Sequence, residues 1–145
     1  ENPAPGVERS RAALMELLAA QREAGFPAEQ SFPFGFSQGC LMTLEMAMRY
    51  PHRLAGCIGV SGYVHEPDTA LQELSPVATQ QEVLFTCGTF DPIIPAEKVK
   101  GQLNQLQTDG GLQIEAHEFA KEHTIAGVEE LSLIRDFIQA RGPQA

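Results

Sequence analysis

The stretch Gly35-Phe36-Ser37-Gln38-Gly39 holds residue types and spacing that could do covalent chemistry. A serine with a glycine two positions away on each side fits a sharp strand-to-helix turn, the nucleophile elbow. Glycine is expected at both flanks because such a turn crowds its neighbours and glycine has no Cβ to clash. The hydroxyl would then stand at a helix N-terminus, where backbone N–H groups favour developing negative charge. A plainer reading stands beside this one, in which Ser37 is the N-cap of an ordinary helix.

A serine nucleophile needs a base to take its proton, and the base needs an acid to orient it. In an open α/β sheet, functional groups collect just past the carboxyl ends of the strands. Asp91, in Gly88-Thr89-Phe90-Asp91-Pro92, follows an apolar run that ends near Cys87. His123, in Lys121-Glu122-His123-Thr124, follows a run that ends near Phe119. Serine, acid, histidine is the chain order that accompanies an elbow. Asp91 also reads as a simple turn residue ahead of Pro92. The other histidines fit less well. His52 follows a helix end at Pro51, His65 lies in a loop on the active edge where it could line a cleft, and His117 is mid-strand. Asp68 and Asp109 have plainer loop and helix-end settings, and Glu122 is only a sequence neighbour of His123.

These residues must be carried by strands and helices in alternation. Val7 to Ala24 is helical in character, with Leu14, Leu17 and Leu18 as an apolar stripe stopped by Gly25-Phe26-Pro27. Ser31-Phe32-Pro33-Phe34 reads as a short buried strand, with Pro33 inside it, and Cys40 to Tyr50 as the elbow helix, ended by Pro51. Leu54–Val60 and Glu82–Gly88 are continuous apolar runs. Residues 63–81 are mixed, with one short helix near Thr69–Leu74. A helix is expected from Pro95, in its first turn, to about Thr108, terminated by Gly110-Gly111. Leu112–Phe119 reads as a strand with one wetter face, and Val128–Ala140 as a closing helix with Leu131, Ile134 and Ile138 on one side. The alternation implies an α/β fold of parallel βαβ units.

At 145 residues the chain is expected to be one domain, 1–145, with enough length for a core. A net charge of −9, with scattered Asp and Glu, argues against nucleic acid or anionic membranes as partners. No stretch has the length and apolarity of a bilayer span. Cys40, Cys57 and Cys87 lie in apolar elements and give no disulfide framework, which points to buried thiols in a reducing, cytoplasmic setting. No secretory signal is visible, and the sequence starts at Glu1 rather than methionine.

The elbow, Ser61-Gly62, Gly88 through Pro92 and the His123 turn together resemble the phospholipase/carboxylesterase branch of the α/β-hydrolases. That group includes acyl-protein thioesterase-like enzymes and bacterial carboxylesterases. The resemblance implies Ser37 as nucleophile, Asp91 as acid and His123 as base, with the backbone N–H of Gln38 as one oxyanion donor. It implies acyl transfer to water through a Ser37 acyl-enzyme, with a small-molecule ester or thioester as substrate and neither metal nor cofactor. Residues 63–81 and Ile93-Ile94 are expected to border the cleft, their apolar members suited to an acyl group. The family also carries an early strand and a His-Gly loop that supplies the second oxyanion donor, and nothing before Val7 reads as that loop. The chain is therefore expected to form the later part of the fold, a partial sheet of about four strands. The strand near Phe32–Phe36 then becomes an edge, where Pro33 is tolerable but exposed aromatics invite association. Either an N-terminal portion lies outside this chain or another chain pairs there. A non-catalytic module lacking a complete oxyanion hole is the alternative, and a hydrolase of other substrate class is a third.

Overall fold

The apolar pattern of the chain switches between short continuous runs and helical spacing, and the backbone follows it. A computed structural model describes residues 4–142. In chain order the elements are α1 (Ala4–Glu23), β1 (Phe34–Phe36), α2 (Gln38–Arg49), β2 (Cys57–Val60), α3 (Pro67–Gln72), β3 (Glu82–Gly88), α4 (Ala96–Gly110), β4 (Gln113–Phe119) and α5 (Gly127–Arg141), with 3₁₀ turns at Ala28–Gln30 and Ala78–Gln80. The four strands form one sheet in the order β1-β2-β3-β4, and every pair is parallel. This is the expected α/β architecture.

Alternate side chains of β2 and β3 divide the apolar interior into two layers, as strand geometry requires. Cys57, Val83, Phe85 and Cys87 face α2 and α4 in the larger cluster, with Leu44, Met48, Leu103 and Leu106. Ile58, Val60 and Leu84 face α5 through Ile134 and Phe137. Leu14 and Leu18 of α1 pack against the larger layer, whereas Leu17 turns outward. Buried on both faces, β2 and β3 read as unbroken apolar runs, as strands of a covered parallel sheet do.

The structure corrects several expectations. The first strand lies at Phe34–Phe36, later than the aromatic run at 31–34, and Pro33 sits just before it. Its missing N–H therefore interrupts no strand; its carbonyl accepts the Ile58 N–H at 2.9 Å. Phe32 packs against the α5-side layer, while Phe34 and Phe36 are 48% and 38% exposed on an edge that no strand pairs among the described residues. Pro95 is the N-cap of α4 rather than part of its first turn, and Gly111, at φ 70°, closes the helix with N–H bonds to the Gln107 and Leu106 carbonyls. In α5 the buried positions are Glu130, Ile134 and Phe137, whereas Leu131 is 53% exposed.

Candidate active site

The elbow forms because β1 must turn into α2 within one residue. Ser37 adopts φ 59° and ψ −113°, a strained backbone for a residue with a Cβ. Its N–H bonds the Val60 carbonyl at 2.9 Å and its carbonyl accepts the Leu41 N–H at 3.2 Å, so both neighbours hold it there. The two glycines of the motif differ. A Cβ on Gly35 would stand 2.1 Å from the carbonyl carbon and oxygen of Gly39, so any side chain is excluded. A Cβ on Gly39 would meet nothing within 4 Å, contrary to the expectation that both flanks are crowded. Behind the elbow, Cβ atoms on Gly59 or Gly62 would each come within 2.6 Å of the Cys40 sulfur; these two glycines let α2 lie close to β2.

Ser37 occupies the N-cap position of α2, yet its side chain makes no capping hydrogen bond. Its Oγ lies instead 2.9 Å from Nε2 of His123. On the other side of the ring, Nδ1 of His123 lies 2.7 Å from Oδ2 of Asp91. The second carboxylate oxygen of Asp91 accepts the N–H groups of Ile93 and Ile94 at 2.8 and 2.9 Å. Burial alone would push the Asp91 carboxyl up, but hydrogen bonds from Ile94, the His123 ring and Ile93 outweigh it and hold the group below its usual range. An ionised Asp91 has no proton to give, so Nδ1 carries the hydrogen and Nε2 is left to accept from the serine hydroxyl. The Phe36 ring covers the imidazole at a centroid distance of 4.9 Å.

Parallel pairing is what gathers these groups. β1, β3 and β4 end on the same side of the sheet, and Ser37, Asp91 and His123 lie just past those ends. The turns that carry Asp91 and His123 are also tied to each other, Thr89 N–H to the Phe119 carbonyl at 2.9 Å and Phe90 N–H to the Lys121 carbonyl at 3.0 Å. Gln38 begins α2, so its N–H belongs to the helix end that finds no acceptor within the helix.

The other candidates fall elsewhere. The His117 ring is 2.8 Å from Glu115 on the outer edge of β4, His52 lies edge-on to Tyr50, and His65 sits 3.6 Å from Glu66. Cys40, Cys57 and Cys87 are buried, and burial raises each thiol, that of Cys57 to about 12. Among the described residues no His, Cys, Asp or Glu cluster could hold a metal ion. A small cavity of about 140 Å³ beside the Asp91 turn is lined by Tyr63, Ile93, Ile94, Pro95, Lys98 and Val99. Ile93 and Ile94 border this cavity, together with Tyr63 from the 63–81 segment. The larger groove, about 540 Å³ between α1, α2 and the Phe32–Phe34 edge, meets the elbow at Gly39. Sequence reasoning missed Lys121 and Glu130, which are buried beside the His123 loop; in sequence they look like surface charges.

With this geometry in view, the likeness to known proteins is specific. The family model described as phospholipase/carboxylesterase matches residues 2–141. Acyl-protein thioesterase 1 of Schizosaccharomyces pombe is 35% identical over 128 residues, covering 83% of this chain and 57% of that protein. Acyl-protein thioesterase 1 of Yarrowia lipolytica is 27% identical, covering 92% and 60%. The crystal structure of Arabidopsis thaliana SOBER1 superposes with a TM-score of 0.87 at 25% identity, over 93% of this chain and 64% of its own. The chain therefore spans less than two thirds of each of these relatives. By the extent of the family match and the shared fold, it belongs to the phospholipase/carboxylesterase family of α/β-hydrolases.

Proposed function

We propose that this chain carries the catalytic residues of a serine carboxylesterase or thioesterase acting on small to medium acyl groups. The observation that carries the reading is the unbroken line from Ser37 Oγ to His123 Nε2 and from His123 Nδ1 to Asp91, at 2.9 and 2.7 Å. His123 takes the Ser37 proton as Oγ attacks the acyl carbonyl, and Asp91 stabilises the imidazolium that results. The Gln38 N–H, at the start of α2, donates to the oxyanion of the tetrahedral intermediate. His123 then protonates the leaving alcohol or thiol, and the acyl-enzyme forms. Water, deprotonated by the same imidazole, attacks the acyl-enzyme and releases the acid and free Ser37. The cavity at Tyr63 and Ile93–Val99 is apolar in most of its lining, which suits an acyl chain. The same reading takes residues 1–145 as one domain in a cytoplasmic setting, with a small-molecule ester or thioester as substrate.

A second reading is a non-catalytic module, in which Ser37, Asp91 and His123 lie in line without turnover. Of the oxyanion donors, the sequence assigns only Gln38, and loss of one such donor costs about 10²–10³ in kcat. A fluorophosphonate probe separates the two. Covalent labelling of the folded chain that disappears in Ser37→Ala supports the esterase; folded protein that takes no label supports the module. A series of p-nitrophenyl esters and acyl thioesters then ranks the substrates.

A further inference from the structure

Lys121, two residues ahead of His123, is only 5% exposed. Its Nζ lies 2.8 Å from both carboxylate oxygens of Glu130, a fully buried residue in the first turn of α5. The same carboxylate accepts the Ala126 N–H at 2.6 Å and the hydroxyl of Thr86 from β3. One side chain thus joins the end of the sheet, the His123 loop and the start of α5. The backbone of Lys121 is tied in another direction, its carbonyl accepting the Phe90 N–H next to Asp91. Gly88 permits that approach, because a Cβ there would stand 2.4 Å from the Lys121 oxygen.

Beyond the His123 ring's own bond to Asp91 and the ties to the Asp91 turn, the loop is fixed by few contacts. Its internal backbone bonds are short-range, Lys121 N–H to Phe119, Thr124 N–H to Glu122 and Gly127 N–H to Ile125 at 2.8, 2.9 and 3.2 Å. A buried ion pair is a poor source of stability, since well-packed apolar residues of similar size often do as well or better. Its worth here is directional. A bidentate contact to a carboxylate with two further donors defines where the Lys121 side chain lies, and hence where the chain two residues later begins its turn.

We propose that the Lys121–Glu130 pair, seated on Thr86, is the positioning unit that holds His123 in reach of Ser37. The proposal rests on the reading of Ser37 and His123 as nucleophile and base. Neither Lys121 nor Glu130 reaches the reacting atoms; both act through the placement of the imidazole.

The test replaces both charges together, Lys121→Met with Glu130→Leu, so that no lone buried charge remains. The readouts are the rate of Ser37 phosphonylation by a fluorophosphonate, kcat and KM on p-nitrophenyl acetate, and the melting temperature. The expected result is a folded protein that labels about 10- to 100-fold more slowly, with kcat reduced and KM little changed, the consequence of an imidazole displaced by about 1 Å. A folded double variant with the wild-type labelling rate and kcat overturns the proposal. If that variant does not fold, Thr86→Val decides, since it keeps both charges and removes one donor. Slower labelling by Thr86→Val supports the positioning role, and an unchanged rate overturns it. Wild-type protein that is not labelled at Ser37 at all refutes the reading of the site itself, and the proposal with it.

Discussion

Gly35→Ala isolates the geometry of the elbow from its chemistry. The added Cβ would stand 2.1 Å from the carbonyl carbon and oxygen of Gly39 and 2.7 Å from the Cys40 nitrogen. Favourable carbon contacts lie at about 3.5–4.0 Å, so the overlap is roughly 1.4 Å. The opposing atoms are all backbone in the first turn of α2, and no side-chain rotation relieves it. Overpacking of this kind costs about 1–3 kcal/mol, occasionally more. Shifting the turn by about 1 Å carries Ser37 away from His123 and cuts the rate about 100-fold. Urea unfolding reads the first effect and fluorophosphonate labelling the second. Gly39→Ala is the matched control: its Cβ meets nothing within 4 Å, and alanine gains about 0.5–1 kcal/mol over glycine inside a helix. Gly39→Ala should therefore match or exceed wild-type stability. The steric argument is refuted if Gly35→Ala keeps the wild-type urea midpoint and labelling rate, or if both variants are damaged alike.

Asp91→Asn should reduce kcat by up to about 10⁴, because an amide no longer selects the Nδ1–H tautomer of His123. Its effect on stability follows the depressed carboxyl of Asp91. The folded group ionises more readily than the unfolded one, so its contribution is complete above the ordinary carboxylate range and is lost as pH falls through the folded value. The stability gap between wild type and Asp91→Asn should narrow as pH falls from about 5 to below about 4; a gap that widens over that interval would count against this account. The thiols of Cys40, Cys57 and Cys87 are buried and raised, so Ellman's reagent at pH 8 should find none in folded protein and all three after guanidinium denaturation. Rapid reaction of the native chain would contradict that burial.

What the sequence disclosed follows from which physical signals are local. β3 is legible because a strand covered on both faces must be apolar at nearly every position, and Glu82–Gly88 is bounded as expected. The elbow is legible because strain at Ser37 and a steric requirement at Gly35 compress into five residues. The aromatic run before it misleads: Phe32 is apolar for a packing contact outside the strand, which shifts the apparent start. Leu131 misleads for a related reason. Helical spacing alone places it with Ile134, but the turn of α5 that faces inward there carries Glu130. Lys121 and Glu130 escape sequence reasoning because a charge is read as solvated until its partner is known, and these partners are nine residues apart across a loop and helix start.

The three site residues come from the ends of β1, β3 and β4, so they span the sheet from one edge to the other. A folding chain that has docked only β1 to β3 has Ser37 and Asp91 in place but not His123. A slip of β4 by one residue against β3 would invert every side chain of that strand and move the His123 turn with it. On the proposed reading of the site, labelling of Ser37 during refolding therefore reports that β4 has reached its native register against β3.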